Sequence, residues 1–304
     1  MKEIDFVYDA IIVGGGPAGL SAALVLGRCR RKVLLLNAGK SRNARTHATY
    51  GFLTRDGIKP AEFISIAREQ LSRYTTVELL EAEAADAKCI GNHFEVTLDN
   101  GEHFKSRSLL LATGVVDEIP AIEGLDPLYG NSVHHCPYCD GYEVRDQPIA
   151  IYGRGENGKG LALEMTVWSH DLVLCTDGVS ELSAKDLERL KSNGIEVREE
   201  KIARLEGNEG LLERIVFTNG ETLPRRAMFF STGHHQRSNL AERLNCRFTE
   251  KGAVETGEYE AAGIPGLYAA GDASRHVQFV IVAAAEGAEA AFAINTMLLK
   301  EDLE

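Results

Sequence analysis

The sequence predicts an α/β protein of two Rossmann-like, three-layer domains, the second inserted in the first and each with a small antiparallel β layer beside its parallel sheet. Three observations predict this. Two segments share an opening in which an apolar strand runs into Gly-x-Gly-x-x-Gly and then a helix. Each opening is answered downstream by an apolar strand that ends in Thr-Gly. Residues 94–104, around Asp99-Asn100-Gly101, and residues 214–223, around Asn219-Gly220, read as hairpins beside those strands.

The first opening is the strand Ala10 to Val13, then Gly14-Gly-Gly16-Pro17-Ala18-Gly19, a small-residue helix from Leu20 to Arg28, and the strand Val33 to Leu36. In such a loop the first glycine makes the tight turn and the second lets the backbone approach a pyrophosphate. The third lets helix pack on strand, and the phosphates rest on the helix N-terminus. At the end of the next strand, where a ribose is read, stands Asn37, whose amide can still bond a hydroxyl. Leu109 to Leu111 leads into Ala112-Thr113-Gly114. The second opening is Ile149 to Tyr152, then Gly153-Arg-Gly155-Glu-Asn-Gly158, a helix near Leu161 to Trp168 and the strand Leu172 to Leu174. Its answering strand is Met228 to Phe230, before Ser231-Thr232-Gly233. A last strand and turn, ending in Gly271-Asp272, and an Ala-rich helix return the chain to the first domain. That domain is read as 1–115 plus 241–304, with 116–240 inserted.

Cys136-Pro137-Tyr138-Cys139-Asp140 holds the one cysteine pair whose spacing suggests chemistry. Two intervening residues permit a disulfide across one turn, a helix start acidifies one thiol, and an adjacent Asp can carry the proton. Zinc needs four ligands, and His134 and His135 lack ligand-like spacing from the cysteines, so no metal is expected. Cys29, Cys89, Cys175 and Cys246 are isolated and read as inert, buried or half-buried thiols.

At 304 residues and 44% hydrophobic the chain can bury two cores, which excludes a disordered or fibrous protein. Thirty-three basic against 45 acidic residues give a net charge of -12, with no basic cluster, so nucleic acid is not an expected partner. Residues 1–10 lack the pattern of a secretory signal, and the Ala-rich stretch 277–293 is interrupted by Gln278, Glu286 and Glu289. No membrane association and a cytoplasmic location are expected.

Four motifs in order, Gly-Gly-Gly-Pro-Ala-Gly at 14–19, Ala-Thr-Gly at 112–114, Cys-x-x-Cys-Asp-Gly at 136–141 and Ala-Ala-Gly-Asp at 269–272, resemble the low-molecular-weight thioredoxin reductases over nearly the whole chain. The resemblance implies an FAD enzyme and a homodimer. It implies that Cys139 faces the flavin, that Cys136 attacks the external disulfide and that Asp140 is the acid/base. Gly271 and Asp272 would serve the FAD ribitol and Gln278 the flavin ring, while 41–51, with Asn43 and His47, would run along the cofactor.

The second domain departs from that family. Where NADPH-using members carry a basic cluster, this chain has Cys175-Thr176-Asp177-Gly178. An acid there suits an NAD ribose diol and opposes a 2′-phosphate. The second site is therefore read, in order of preference, as holding no nicotinamide, NADH or NADPH. In this the chain also resembles ferredoxin-linked or deeply branching reductases and natural-product dithiol oxidases. The leading expected function is reduction of a disulfide on thioredoxin or a similar small redox protein, with ferredoxin a candidate donor. The alternatives are a flavin oxidase acting on a small-molecule dithiol, with O2 as acceptor, and a non-catalytic flavin-bound redox sensor.

Overall fold

A computed structural model describes residues 7–304. The stretch 1–6, part of the segment on which the absence of a secretory signal was read, lies outside the described residues.

In chain order the first elements are β1 (Val7–Val13), α1 (Pro17–Arg28), β2 (Val33–Leu36), α2 (Pro60–Leu71), β3 (Val77–Leu80), β4 (Ala84–Ile90), β5 (His93–Leu98), β6 (His103–Leu111) and β7 (Val115–Asp117). There follow β8 (Val133–His134), α3 (Pro137–Asp140), β9 (Ile149–Tyr152), α4 (Gly155–Glu164), β10 (Leu172–Cys175), α5 (Ala184–Ser192), β11 (Glu196–Arg198), β12 (Ile202–Asn208), β13 (Leu211–Phe217), β14 (Thr222–Pro224) and β15 (Ala227–Phe230). The chain ends with β16 (His234–Gln236), α6 (Leu240–Arg243), β17 (Leu267–Ala269) and α7 (Val280–Leu303). Two compact units result: the described residues up to Ala44 with Gly51–Val116 and His235–Glu304, and Arg45–Tyr50 with Asp117–His234.

The first unit is built on a seven-stranded sheet, β3-β2-β1-β6-β5-β4, with β17 also on β6. β1, β2, β3, β6 and β17 run parallel. β5 and β4 extend it antiparallel from β6, and Gly101 N–H closes the β5–β6 turn on Leu98 O at 3.0 Å. Because strand side chains alternate, Ile12 faces α1 and α7 while Ile11 faces a second core with Phe94, Leu109 and Leu240. Both isoleucines are fully buried, each contributing about 1.5–3 kcal/mol relative to exposure.

α7, at 24 residues, is long and apolar enough to cross a membrane by length and composition. Its buried face, Ala283, Gly287, Ala290, Ala291, Ile294 and Leu298, belongs to the core shared with α1. A Cβ added at Gly287 would lie 2.0 Å from Ala18 O, so α1 and α7 approach backbone to backbone at this glycine. That is the packing of a core helix.

The second unit repeats the plan with a parallel sheet, β11-β10-β9-β15-β8, and a separate antiparallel sheet, β12-β13-β14. Ile149 and Ile151 face α4 and α5, while Ala150 joins Leu205, Leu212, Ile215 and Phe217 on the opposite side. Cys175 and Cys246 are buried as expected, and burial pushes the Cys175 thiol up to about 12. The reading of Cys29 and Cys89 as buried or half-buried is corrected, because both are exposed. Cys29 caps the C-terminus of α1 and Cys89 lies on β4, the edge strand of its sheet.

Candidate active site

The first-unit loop has the geometry of a phosphate cradle. Gly14 sits at φ +118°, and a Cβ there would lie 2.1 Å from Ala112 O, a conformation and a contact that favour glycine. A Cβ at Gly19 would lie 1.8 Å from Gly14 O, whereas one at Gly16 would meet nothing within 4 Å. Pro17 and Ala18 form the first turn of α1, and Gly16 caps it in extended backbone. The open face at Gly16, with the N-terminus of α1 behind it, fits the diphosphate of a dinucleotide such as FAD. Gly16→Ala is expected to keep the melting temperature within about 3 °C of wild type, by the size of an exposed substitution, and to lose bound flavin. Gly19→Ala is expected to lose about 1–3 kcal/mol of stability by overpacking. Thermal melts and the flavin absorbance of purified variants check both.

Ala112 N–H donates to Val13 O at 2.9 Å, and Gly114 O accepts from Arg237 N–H at 3.1 Å, which places Thr113 at the mouth of the parallel strands. Asn37 is buried at the end of β2, donates to Glu81 Oε2 at 2.7 Å and accepts from Gly39 N–H at 3.2 Å. Glu81, which also pairs with Arg68 at 2.7 Å, is the carboxylate partner of Asn37 and is absent from the sequence reading. Asn43 accepts from Ser41 at 2.7 Å. His47 is exposed and lies in Arg45–Tyr50, which belongs to the second unit.

Asp272 and Gln278 come together through Arg42, whose Nη1 donates to Asp272 Oδ2 and Gln278 Oε1, each at 2.7 Å. Gly271 N–H donates to the buried Glu286 at 2.8 Å, and Arg275 joins Glu286 to Glu260, each at 2.6 Å. Burial raises both carboxyls above the usual range, against Arg275, which opposes the rise. Sequence reasoning missed Arg42 and this network. The only hint was charge in an apolar context, with Glu286 interrupting the Ala-rich stretch.

In the second unit Cys136 and Cys139 form a disulfide. Cys136 is the N-cap of α3, and its Sγ accepts from Cys139 N–H at 3.2 Å. Asp140 closes the same turn, with its Oδ2 3.5 Å from Nδ1 of His134. His134 is buried against Phe229, at 5.3 Å between ring centroids. His135 Nδ1 lies 3.1 Å from Tyr129 Oη and its Nε2 3.7 Å from Asp117. A Cβ at Gly141 would lie 2.9 Å from the Trp168 ring, which also meets Tyr138 edge-on at 5.4 Å. Tyr138 and Tyr142 remain exposed. No group of three or more metal-ligating side chains occurs among the described residues.

The second glycine loop is packed in the same way, since a Cβ at Gly158 would lie 2.5 Å from Gly153 O. α4 begins at Gly155, before the Leu161 start read from sequence. Arg154 Nε donates to Thr176 O at 2.7 Å, and its Nη2 donates to Asp177 O. Asp177 Oδ1 in turn accepts from Ile202 N–H at 2.7 Å. Glu156 pairs with Lys159, which also holds Asp186 at 2.7 Å.

Residues 8–287 match the pyridine nucleotide-disulphide oxidoreductases. The thioredoxin reductase tcpT of Claviceps purpurea is 30% identical, the match covering 97% of this chain and 95% of the relative. A probable thioredoxin reductase of Arthroderma benhamiae is 29% identical, over 98% and 82%. Among solved structures, the putative thioredoxin reductase TrxB from Bacillus anthracis superposes with a TM-score of 0.91 at 33% identity, over 97% of this chain and 99% of that one. HlmI superposes with a TM-score of 0.94 at 33% identity, over 98% and 94%.

Proposed function

The chain belongs to the pyridine nucleotide-disulphide oxidoreductase family, as an enzyme of the thioredoxin reductase-like kind that acts on disulfides, and from that premise we propose that it reduces a thioredoxin-type disulfide through FAD and Cys136/Cys139 without efficient use of NADPH. FAD is assigned to the first unit and the dithiol to the second. The observation that carries the proposal is the Cys136–Cys139 disulfide at the start of α3, with Asp140 in the same turn.

When bound, the flavin supplies an electron pair to this disulfide. In the reduced dithiol the N–H that Cys139 aims at Cys136 Sγ favours a Cys136 thiolate. That thiolate attacks one sulfur of the partner disulfide, forming a mixed disulfide and expelling a partner thiolate. Cys139 then attacks Cys136 Sγ, restores the internal disulfide and releases the second partner thiol. Two protons go to the partner. Asp140 holds one of them beside His134, at the 3.5 Å seen here.

At the second glycine loop the electron donor is read, in order of preference, as a carrier other than nicotinamide, such as ferredoxin, then NADH, then NADPH. Arg154 donates to the carbonyls of Thr176 and Asp177, and its Nη2 lies 3.9 Å from Asp177 Oδ2, so the cation nearest the acid at the ribose position is already held by the protein itself. A second reading, oxidation of a small dithiol with O2 as acceptor, is favoured by the exposed rings of Tyr138 and Tyr142 around the disulfide.

The deciding experiment is an anaerobic flavin-bleaching titration with NADPH, NADH, reduced ferredoxin, reduced thioredoxin and a small dithiol in turn. Reduced thioredoxin is expected to bleach the flavin and oxidised thioredoxin to restore it. Bleaching by the small dithiol with recovery only in air assigns the oxidase instead. A flavin that no donor bleaches leaves the redox sensor.

A further inference from the structure

Glu286 is a carboxylate on the buried face of the Ala-rich α7, and both of its oxygens are used on one turn of the chain. Its Oε2 accepts from Gly271 N–H at 2.8 Å and its Oε1 from Arg275 Nε at 2.6 Å. One side chain thus clamps the two ends of the turn 271–275. Ala270 N–H still bonds the strand β6, at Leu111 O and 3.0 Å, and Gly271 then leaves the sheet in left-handed backbone at φ 77°. The buried Gly271 N–H therefore needs an acceptor from outside the sheet, and an unpaired one would be costly. Arg275 is held in turn by Glu260 Oε1, at 2.6 Å from its Nη2, and by Thr256 Oγ1, at 3.3 Å from its Nη1.

The side chains of Glu260 and Glu286 are only 1% and 9% exposed. Apolar groups in place of such a buried ion cluster are often neutral or stabilising, so stability alone gives no reason for charge at this point of the core. What the clamp does fix is the path of the turn. A Cβ at Gly271 would lie 3.1 Å from Ala18 Cβ, in the first turn of α1, and one at Gly287, beside Glu286, would lie 2.0 Å from Ala18 O. The turn, α7 and the helix of the first glycine loop meet at Ala18. We propose that Glu286 is a positioning residue of the cofactor site of the first unit, which sets the turn 271–275 against the start of α1 through Gly271 N–H and Arg275 Nε, and with it the place of Asp272. Arg275 is the second end of the clamp, and Glu260 only anchors Arg275. The proposal rests on the FAD reading above.

The test compares wild type, Glu286→Leu, Glu286→Gln and Glu260→Gln by the dissociation constant of FAD, the absorption spectrum and midpoint potential of the bound flavin, and the thermal melt of flavin-free protein. Glu286→Leu leaves Gly271 N–H without its acceptor and is expected to weaken FAD about tenfold or more and to shift the spectrum and potential of the flavin that remains. Glu286→Gln keeps an oxygen for Gly271 and is expected to restore the wild-type spectrum and potential and most of the affinity. Glu260→Gln removes a charge from the same cluster without touching the turn, and the flavin should not register it even if the melt falls. Should Glu286→Leu fail to fold, Arg275→Gln, which releases the other end of the clamp, carries the same expectation for the spectrum and potential. A folded Glu286→Leu with wild-type affinity, spectrum and potential overturns this proposal alone, whatever its melt, and so does a Glu260→Gln that disturbs the flavin as much as Glu286→Leu. A folded wild type that takes up no FAD overturns the cofactor reading, and the proposal with it.

Discussion

Cys139→Ser is expected to lower turnover with a disulfide substrate by on the order of a thousandfold or more, the scale on which removal of an essential nucleophile acts, while the flavin content stays at the wild-type level. The reason lies in the two-step exchange. Without Cys139 the mixed disulfide on Cys136 cannot resolve, so a covalent adduct of enzyme and thioredoxin should accumulate on a non-reducing gel. Cys136→Ser removes the attacking sulfur, and no adduct should form. Anaerobic reductive titration separates the same roles, since the wild type should take up two electron pairs per chain and either serine variant one. Geometry supports this assignment through the N-cap position of Cys136 and the Cys139 N–H directed at its sulfur at 3.2 Å. An adduct on Cys136→Ser and none on Cys139→Ser would exchange the roles of the two cysteines.

The parts of this protein legible in its sequence are those specified by neighbours along the chain. Val33–Leu36 reads as a strand because a parallel strand buried on both faces is a continuous apolar run. The hairpin at Asp99-Asn100-Gly101 reads because its turn residues have few other uses. Gly14 and Gly19 read because a side chain at either would strike backbone within about six residues or across one strand. Helix starts read less well. α4 begins at Gly155, whose low helical propensity hides a start that the strand–turn–helix connection imposes. Side-chain partnerships across long separations leave almost no local trace. Arg42 meets Asp272 230 positions away, and Asn37 meets Glu81 44 positions on. In both cases the sequence shows one end of the pair at a marked position and nothing that names the other. Cys29 and Cys89 were misread for a related reason, since a helix end and an edge strand carry the same residue as a core position without any change in pattern.

NADPH is expected to reduce the bound flavin at least a hundredfold less efficiently than it does in a reductase with a basic cluster after the second strand. A hundredfold corresponds to about 2.7 kcal/mol, and one phosphate charge about 4 Å from Asp177 would cost roughly 4 kcal/mol at an effective dielectric near 20. Asp177 stands two residues after β10, in left-handed backbone at φ 51°. Its carboxylate accepts from the Ile202 N–H and lies 3.9 Å from Arg154 Nη2, which also donates to the Asp177 carbonyl. Burial raises the neighbouring Tyr152 phenol, the Asp177 carboxylate adds to the rise and Arg154 opposes it. Two substitutions separate charge from shape. Asp177→Asn keeps an acceptor for Ile202 and a residue that tolerates left-handed backbone, and it should improve reduction by NADPH about tenfold through loss of repulsion alone. Asp177→Arg adds attraction but gives up the Ile202 bond and strains the backbone by about 1–2 kcal/mol. Its gain for NADPH should therefore fall short of the full charge reversal, while NADH is improved by neither. Stopped-flow reduction of wild type and both variants by NADPH and NADH decides the matter. Fast reduction of the wild type by NADH makes the second glycine loop a working NAD site. Reduction by ferredoxin or a dithiol but by neither nicotinamide makes it packing only. Rapid reduction of the wild type by micromolar NADPH would show that Asp177 does not face the 2′-phosphate at all, and the reading of this site would fall.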